Sequence, residues 1–396
     1  MTAPRLPSFT ELVTPPGSPA ARVIIALAGR GEASASELVA DTQMSRSSVS
    51  SVLTELRDAG VVLDVERRQS GLGRPTLMHA LNPAIGVCAG VLLGLGEIRV
   101  TMCDAARRVL SDDHITLSEA YSPDDAVGIV AGILERHCAA RGLTVAGLAG
   151  VGLAVSAPVA RDGSVLFGSI LPAWNGVRIG EVFHQRLGCP IHVDNESHCG
   201  ALYEMTWGAA KGEAEFVMFK FDLGTGGAVV MDGMIRRGAN GFGGEFGHMP
   251  IDPRGLLCRC GNRGCLDTFT GGALLLHQAA RATGQTLTLA QFVNEAQAGH
   301  LGYRRLIEDA AEHAGIGLGI VGSALNPPMF LITGGLARAG DLFLAPMRAS
   351  YDRHTLSRQS LLPEGQQTRI LAGSSPDNDN VLGAAALVLR QVSRVA

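Results

Sequence analysis

"GGEFGHMPIDPRGLLCRCGNRGCLD", residues 243–267, decides how the rest of the chain is read. It packs Cys258, Cys260 and Cys265 into eight positions and sets His248 ten residues ahead of the first of them. One imidazole and three thiolates are a usual donor set for a closed tetrahedral zinc site. The spacing alone leaves several purposes open: a catalytic metal, a nucleic-acid finger, a strut for a neighbouring site, or three free thiols that lie near one another. Four protein ligands would leave no position for a reactive water, which speaks against catalysis. The cluster also lies deep in α/β sequence, which speaks against an independent finger.

Outward from this stretch the texture is Gly-rich and Ala-rich. The runs "GVCAGVLLGLGEIRVTMCD" (86–104), "VAGLAGVGLAVSAPV" (145–159), "PIHVDN" (190–195), "EFVMFKFDLGTGGAVVMDG" (215–233) and "PPMFLITGGLA" (327–337) read as strands. Helical stretches such as "DDAVGIVAGILERHCAAR" and "YRRLIEDAAEHAGIGLGIVGSALN" lie between or after them. Strand groups precede helices twice, from about 86 and from about 215, which predicts two related α/β lobes around a cleft.

The first 80 residues differ. Residues 1–17, rich in Pro, Thr and Gly, read as a flexible arm. "SPAARVIIALAGRG" then puts Val23, Ile24 and Leu27 on one helical face. "SASELVADTQ" opens with Ser34 three residues before Glu37, a capping-box spacing, and turns Leu38 and Val39 inward. In "SRSSVSSVLTELRDAG", Ser45 caps a helix whose apolar positions Val49, Val52, Leu53 and Leu56 follow i, i+3, i+4, i+7 and which ends at Gly60. Its other face carries Arg46, Ser47, Ser48, Ser50, Ser51, Thr54 and Arg57. "VVLDVERRQSGLGRPTLMHALNP" reads as two strands whose Gly-rich turn bears Arg67, Arg68 and Arg74.

Three helices and a hairpin match a winged helix-turn-helix over residues 18–80. The third helix would enter the major groove of DNA, where small hydroxyls and arginine reach phosphates and base edges without steric penalty. Candidate DNA contacts are Ser45, Arg46, Ser47, Ser48, Ser50 and Ser51, with Arg67, Arg68 and Arg74 on the wing. The competing reading is a helical adaptor with a solvated serine face, because residues 1–80 hold eight Arg against eight acidic residues. The arginines clustered at the hairpin favour DNA.

The 396 residues are 46% hydrophobic, enough to bury more than one core, and the formal net charge is −4. With no global basic field, nucleic-acid binding has to come from a local surface. No apolar run approaches the ~18–20 residues that span a bilayer, and the N-terminus lacks the basic-then-apolar order of a signal peptide. A cytoplasmic protein with no membrane partner is expected. Cys88, Cys103, Cys138, Cys189 and Cys199 are scattered through apolar or mixed stretches and read as small buried hydrophobes.

"GGEFGH" followed by "CRCGNRGCLD" resembles the signature of the ROK family (repressor, open reading frame, kinase). The resemblance runs on through "ILPAWNGV", "VDNESHCGALYE", "ITGGLARAG" and "NVLGAAALVL", so it covers nearly the whole chain. It implies an α/β fold: an N-terminal winged helix-turn-helix followed by a two-lobed, actin-like sugar-kinase domain over 81–396. The lobes would cover about 81–200 and 201–396, with the C-terminal helix packing back on the first. It also implies that His248, Cys258, Cys260 and Cys265 hold a structural zinc that shapes a sugar pocket. Asn195, Glu196, Glu245, His248 and Asp267 would surround the sugar hydroxyls. Carboxylates and amides suit a polyol because each accepts or donates several hydrogen bonds. The competing reading of Asn195 and Glu196 is an ordinary strand-to-helix cap, with Glu196 an exposed first-turn acid.

Departures from the family pattern separate its two branches. Where the kinases carry Asp-x-Gly-Gly-Thr, this chain reads "LLGLG", with Leu92 at the acid and Glu97 just beyond. In the second phosphate loop Asp222 and Leu223 replace Gly and Thr. A carboxylate there repels polyphosphate, whereas glycines let backbone N–H groups approach it. Glu196 stands where the catalytic Asp would be, and its extra methylene moves the carboxylate by about an ångström, enough to lower a rate roughly 100-fold. No catalytic residue and no ATP are therefore expected. The chain reads as a sugar-responsive transcriptional regulator, acting as a homodimer or homotetramer on palindromic operator DNA with a sugar or polyol effector. An ATP-dependent sugar kinase with an appended DNA-binding domain is the alternative.

Overall fold

The computed structural model describes residues 17–66, 76–118, 120–166, 171–358, 361–363, 365–374 and 379–391. Residues 1–16 of the predicted 1–17 arm, and Arg67, Arg68 and Arg74 of the wing, lie outside the described residues. The chain forms two compact units, one comprising residues up to Thr206 together with the C-terminal segment from Asn380, the other running from Trp207 to Asp379.

The first unit begins with α1 (Pro19–Arg30), β1 (Glu32–Ser34), α2 (Ala35–Thr42), α3 (Arg46–Asp58), β2 (Val62–Glu66) and β3 (Leu77–Leu81). Both expected caps form. Ser34 and Glu37 make a reciprocal capping box on α2, and the Ser45 hydroxyl accepts the Ser48 N–H at the start of α3. Val49, Val52, Leu53 and Leu56 are buried, as their spacing predicts. The hairpin gains a strand that no run of apolar residues announces. Glu32–Ser34 pairs antiparallel with β3, giving a three-stranded sheet of order β1-β3-β2.

β3 continues through a 3-10 turn at Pro83–Ile85 into β4 (Val87–Gly94), followed by β5 (Glu97–Asp104) and β6 (Val109–Thr116). Then come α4 (Pro123–Ala139), β7 (Gly150–Val155), α5 (Ile179–Leu187), β8 (Ile191–Asn195) and α6 (Glu196–Thr206). The sheet order is β6-β5-β4-β7-β8, with β5 antiparallel and β7 parallel to β4. Successive side chains leave a strand on opposite faces. Ala89, Val91 and Leu93 therefore join Val151, Leu153 and Val155 in a core with residues of α4 and α5, while Gly90 and Gly152 face the other way. Against that second face lies α12 (Asp379–Gln391): a Cβ on Gly90 would sit 1.8 Å from the Val381 carbonyl oxygen, and one on Gly152 1.8 Å from that of Ala384. α6 runs unbroken to Thr206, where the first unit ends.

The second unit repeats the scheme. Its strands are β9 (Phe216–Phe221), β10 (Thr225–Met231), β11 (Met234–Ile235), β12 (Met329–Thr333) and β13 (Arg369–Ala372), ordered β11-β10-β9-β12-β13. In both sheets the third and second strands flank the first on one side and the fourth and fifth on the other, so the two lobes share one topology. α7 (Asp267–Thr270), α8 (Gly272–Thr283), α9 (Leu289–Gln297), α10 (Leu301–Leu325) and α11 (Asp341–His354) complete the unit. Phe219, Phe221, Phe292, Phe330 and Phe343 are fully buried in its core. No helix among the described residues is long and apolar enough to cross a membrane.

Candidate metal centre, effector residues and nucleic-acid interface

The metal loop is built by backbone pairing rather than by apolar burial. His248 closes a 3-10 turn, Phe246–His248, whose Phe246 ring stacks on Phe219 at 4.6 Å and so ties the turn to the sheet. The returning chain pairs Pro250 with Cys265 and Leu257 with Arg263. A tight knuckle, Cys258 N–H to Asn262 O at 2.7 Å and Gly261 N–H to Cys258 O at 2.9 Å, brings the first two cysteines round. Gly264 sits at φ +60°, and a Cβ there would fall 1.6 Å from the Asp252 oxygen, so only glycine lets the two arms approach.

The result is that His248, Cys258, Cys260 and Cys265 bring their ligand atoms within 4.8 Å of one another. Cys260 Sγ and Cys265 Sγ are 3.6 Å apart, and Cys258 Sγ is 3.6 Å from His248 Nδ1. A metal with M–S bonds of about 2.3 Å has tetrahedral S···S edges of about 3.8 Å, so the donor set and its dimensions fit. Burial raises the Cys258 and Cys265 thiols and lowers the His248 imidazole, the last opposed by Asp267. The imidazole is thus kept neutral, the form that binds a metal.

Beside the loop, Asp267 opens α7 and its Oδ1 accepts the Thr225 N–H at 2.7 Å; Thr225 and Thr270 share a hydroxyl–hydroxyl bond of 2.7 Å. Glu245 precedes and His248 ends the 3-10 turn, which packs so closely on β10 that a Cβ on Gly247 would meet the Thr225 oxygen at 2.0 Å. Glu245, His248 and Asp267 therefore all gather at the start of β10 in the second unit.

In the first unit Asn195 is a helix cap. Its Oδ1 accepts the Ser197 N–H at 2.7 Å and its Nδ2 donates to the Ala157 oxygen at 3.1 Å. Glu196, in the first turn of α6, accepts a short hydrogen bond from the Ser156 hydroxyl. Ser156 follows β7, so this carboxylate is held where the parallel strands β7 and β8 end. Sequence reasoning missed Ser156, since the pairing of β7 with β8 that brings it alongside Glu196 leaves no local signal. His198 is 2% exposed and paired with the equally buried Asp194 at 2.8 Å. It therefore serves the interior of the unit.

Two segments stand where a kinase of this pattern would hold phosphate. Leu92 is buried opposite Arg99, and Glu97 is bonded to His114 at 2.8 Å. In the second unit the Asp222 carboxylate accepts the Leu223 N–H at 2.8 Å and the Gly335 N–H at 3.2 Å. These backbone donors, at the ends of the neighbouring strands β9 and β12, already serve an anion that belongs to the protein.

On α3, Ser45, Arg46, Ser47, Ser48, Ser50 and Ser51 are all exposed on one surface. Arg57 is not part of it, being turned to Asp64, which also pairs with His79. The exposed face carries Arg46 in its first turn and the acids Glu55 and Asp58 toward its end, so its hydroxyls and Arg46 at the start of the helix are what could approach a polyanion.

Residues 88–391 match the ROK family, and residues 20–63 match bacterial regulatory proteins of the arsR family. The chain is 25% identical over 348 residues to the xylose repressor of Bacillus subtilis (strain 168), 88% of each chain. It is 27% identical over 290 residues to a glucokinase of Streptomyces coelicolor, 68% of this chain and 88% of that one. Of solved structures, a ROK family glucokinase from Streptomyces griseus aligns with TM-score 0.67 and 26% identity over 76% of this chain and 99% of its own. A ROK family transcriptional regulator, a homologue of the E. coli MLC protein, aligns with TM-score 0.72 over 94% of this chain and 97% of its own; at 22% identity it shows the fold alone. The family match spans well over half of the sequence, and the protein belongs to the ROK family.

Proposed function

We propose that the protein is a sugar-responsive transcriptional repressor, with α3 reading operator DNA and the ROK body binding a sugar or polyol without phosphorylating it. The observation that carries this reading is Asp222. A carboxylate already bonded to the backbone N–H groups of both strand-end loops repels a nucleotide polyphosphate and competes for its donors. Glu245, His248 and Asp267, gathered at the start of β10, are the residues we assign to the effector. The similarity to xylose repressors makes D-xylose the first effector to try.

In this reading His248, Cys258, Cys260 and Cys265 hold zinc. With Nδ1 toward the thiols, the other ring nitrogen of His248 is left for a sugar hydroxyl. The zinc supplies no reaction step; it fixes the loop that presents Glu245 and Asp267. The protein works in the cytoplasm as a homodimer or homotetramer, and paired reading helices call for a two-fold symmetric operator with half-sites whole helical turns apart. An effector shifts operator affinity only by as much as it prefers one arrangement of the protein over another.

The glucokinase relatives supply the competing reading, a kinase with a DNA-binding appendage. A coupled assay for ADP release, run with ATP over hexoses, N-acetylhexosamines and D-xylose, separates the two. The expected result is no turnover above background and no thermal shift with ATP. Sustained zinc-dependent turnover would make the protein an enzyme.

A further inference from the structure

We propose that Arg107 is the latch that seats the winged domain on the sheet of the first lobe, which makes it a positioning residue for operator binding. Arg107 lies in the turn between β5 and β6, far in sequence from the winged domain. Its Nη2 nevertheless donates to the carbonyl oxygens of Ala28, by a short bond, and Leu27, at 3.5 Å. Those carbonyls belong to the last turn of α1, where partial negative charge concentrates; the Leu27 oxygen also accepts the capping Gly31 N–H at 2.7 Å, so Ala28 is the main acceptor for Arg107. The guanidinium reaches them through Nη2 and stays charged when half-buried.

The backbone points the same way. Arg107 sits at φ +67°, a conformation that glycine or asparagine adopts at less cost. The turn is held by its own hydrogen bonds, Arg107 N–H to Asp104 O at 2.8 Å and Arg108 N–H to Asp104 Oδ1 at 2.9 Å. A long cation kept where a small residue would relieve strain is explained by what its side chain reaches. Around it, Ile85, Cys88, Cys103 and Ala105, with Ala385 and Val388 of α12, share one apolar core with Ala21, Val23, Ile24 and Leu27 of α1. The winged domain is therefore docked, and Arg107 supplies the directional contact on an otherwise non-directional seat.

Its place on the sheet gives the latch a second end. Because β5 runs antiparallel to β4, Asp104 lies opposite Val87, whereas Leu93 pairs with Val155 and Val155 with Asn195. The Arg107 turn is thus at one end of the sheet, and Glu196 at the other, about 25 Å away for eight residues of strand. A tilt of the sheet at the Glu196 end would be delivered to α1 through Arg107. This operator-linked part rests on the function proposed above; the latch itself does not.

Hydrogen exchange of the full-length chain tests it, using Arg107→Asn, which tolerates a positive φ but cannot reach α1, and Arg107→Lys, which keeps charge without the fork. In the Asn variant, peptides covering residues 22–33 should exchange about tenfold faster while those from β4, β7 and β8 stay unchanged. The Lys variant should recover part of the protection. Binding to a duplex selected by the wild-type chain from a random pool should weaken several-fold in the Asn variant. Wild-type exchange over 22–33, or uniform acceleration through β4 and β7, would overturn the latch. Faster exchange at α1 with unchanged duplex affinity would overturn its role in DNA binding. Failure of the wild-type chain to select any duplex would refute the proposed function and the operator role with it, leaving the exchange result to judge the latch.

Discussion

Cys260→Ser is expected to abolish metal retention and effector response together. Structural zinc in small domains contributes about 10–16 kcal/mol through four ligands, roughly 3 kcal/mol each, so losing one thiolate lowers affinity on the order of 100- to 1000-fold. Without metal, Cys258 and Cys265 carry thiols that burial holds protonated, and only the knuckle hydrogen bonds keep the loop in shape. Glu245 and His248, at the start of that loop, lose their register while the buried phenylalanine core beneath is untouched. Metal analysis should give about one zinc per chain for the wild type and almost none for the variant. Sugar binding by calorimetry should disappear, with the fold retained. A variant that binds sugar at full affinity without metal would contradict the strut.

Gly152→Val should have the largest effect on stability of any single substitution considered. Gly152 and Gly90 are register partners on the face that receives α12, and the atoms that a side chain would strike are helix backbone, which cannot rotate away. Valine forces α12 off the sheet and exposes Ala384, Ala385 and Val388, all nearly fully buried. The destabilisation should exceed about 4 kcal/mol, the range kept for severe overpacking, and the thermal midpoint should drop by more than about 10 °C. Gly128→Ala is the control. Gly128 is an exposed position within α4 with nothing within 4 Å of a new Cβ, so alanine should stabilise by about 1 kcal/mol. Equal melting of wild type and Gly152→Val would show that α12 does not dock as described.

The contrast between these sites explains what the sequence disclosed. Val49, Val52, Leu53 and Leu56 announce their burial because helix period is local, and Ser34 with Glu37 announces a cap because three residues suffice to form it. The gathering of His248, Cys258, Cys260 and Cys265 is legible for the same reason: the knuckle that brings them together is made within eighteen residues, His248 to Cys265. β1 was not legible, since three residues of ordinary polarity become a strand only by meeting β3. Nor were the roles of Gly152, Ser156 and Arg107, each of which depends on a partner brought close by tertiary register. Asn195 shows a further limit. In the sequence its position is open between a polyol ligand and a helix cap, and the Ser197 and Ala157 bonds show it acting as a cap.

The central claim is that a DNA-reading helix is governed by a sugar-binding body. Its most direct test is the affinity of the full-length, zinc-loaded chain for a duplex selected from a random pool, measured with and without D-xylose and other sugars. The account predicts a two-fold symmetric site, loss of binding in the Arg46→Ala, Ser47→Ala double variant, and at least a tenfold change in affinity with one sugar. Selection of no duplex, or an affinity that no sugar alters while the chain turns over ATP, would contradict it.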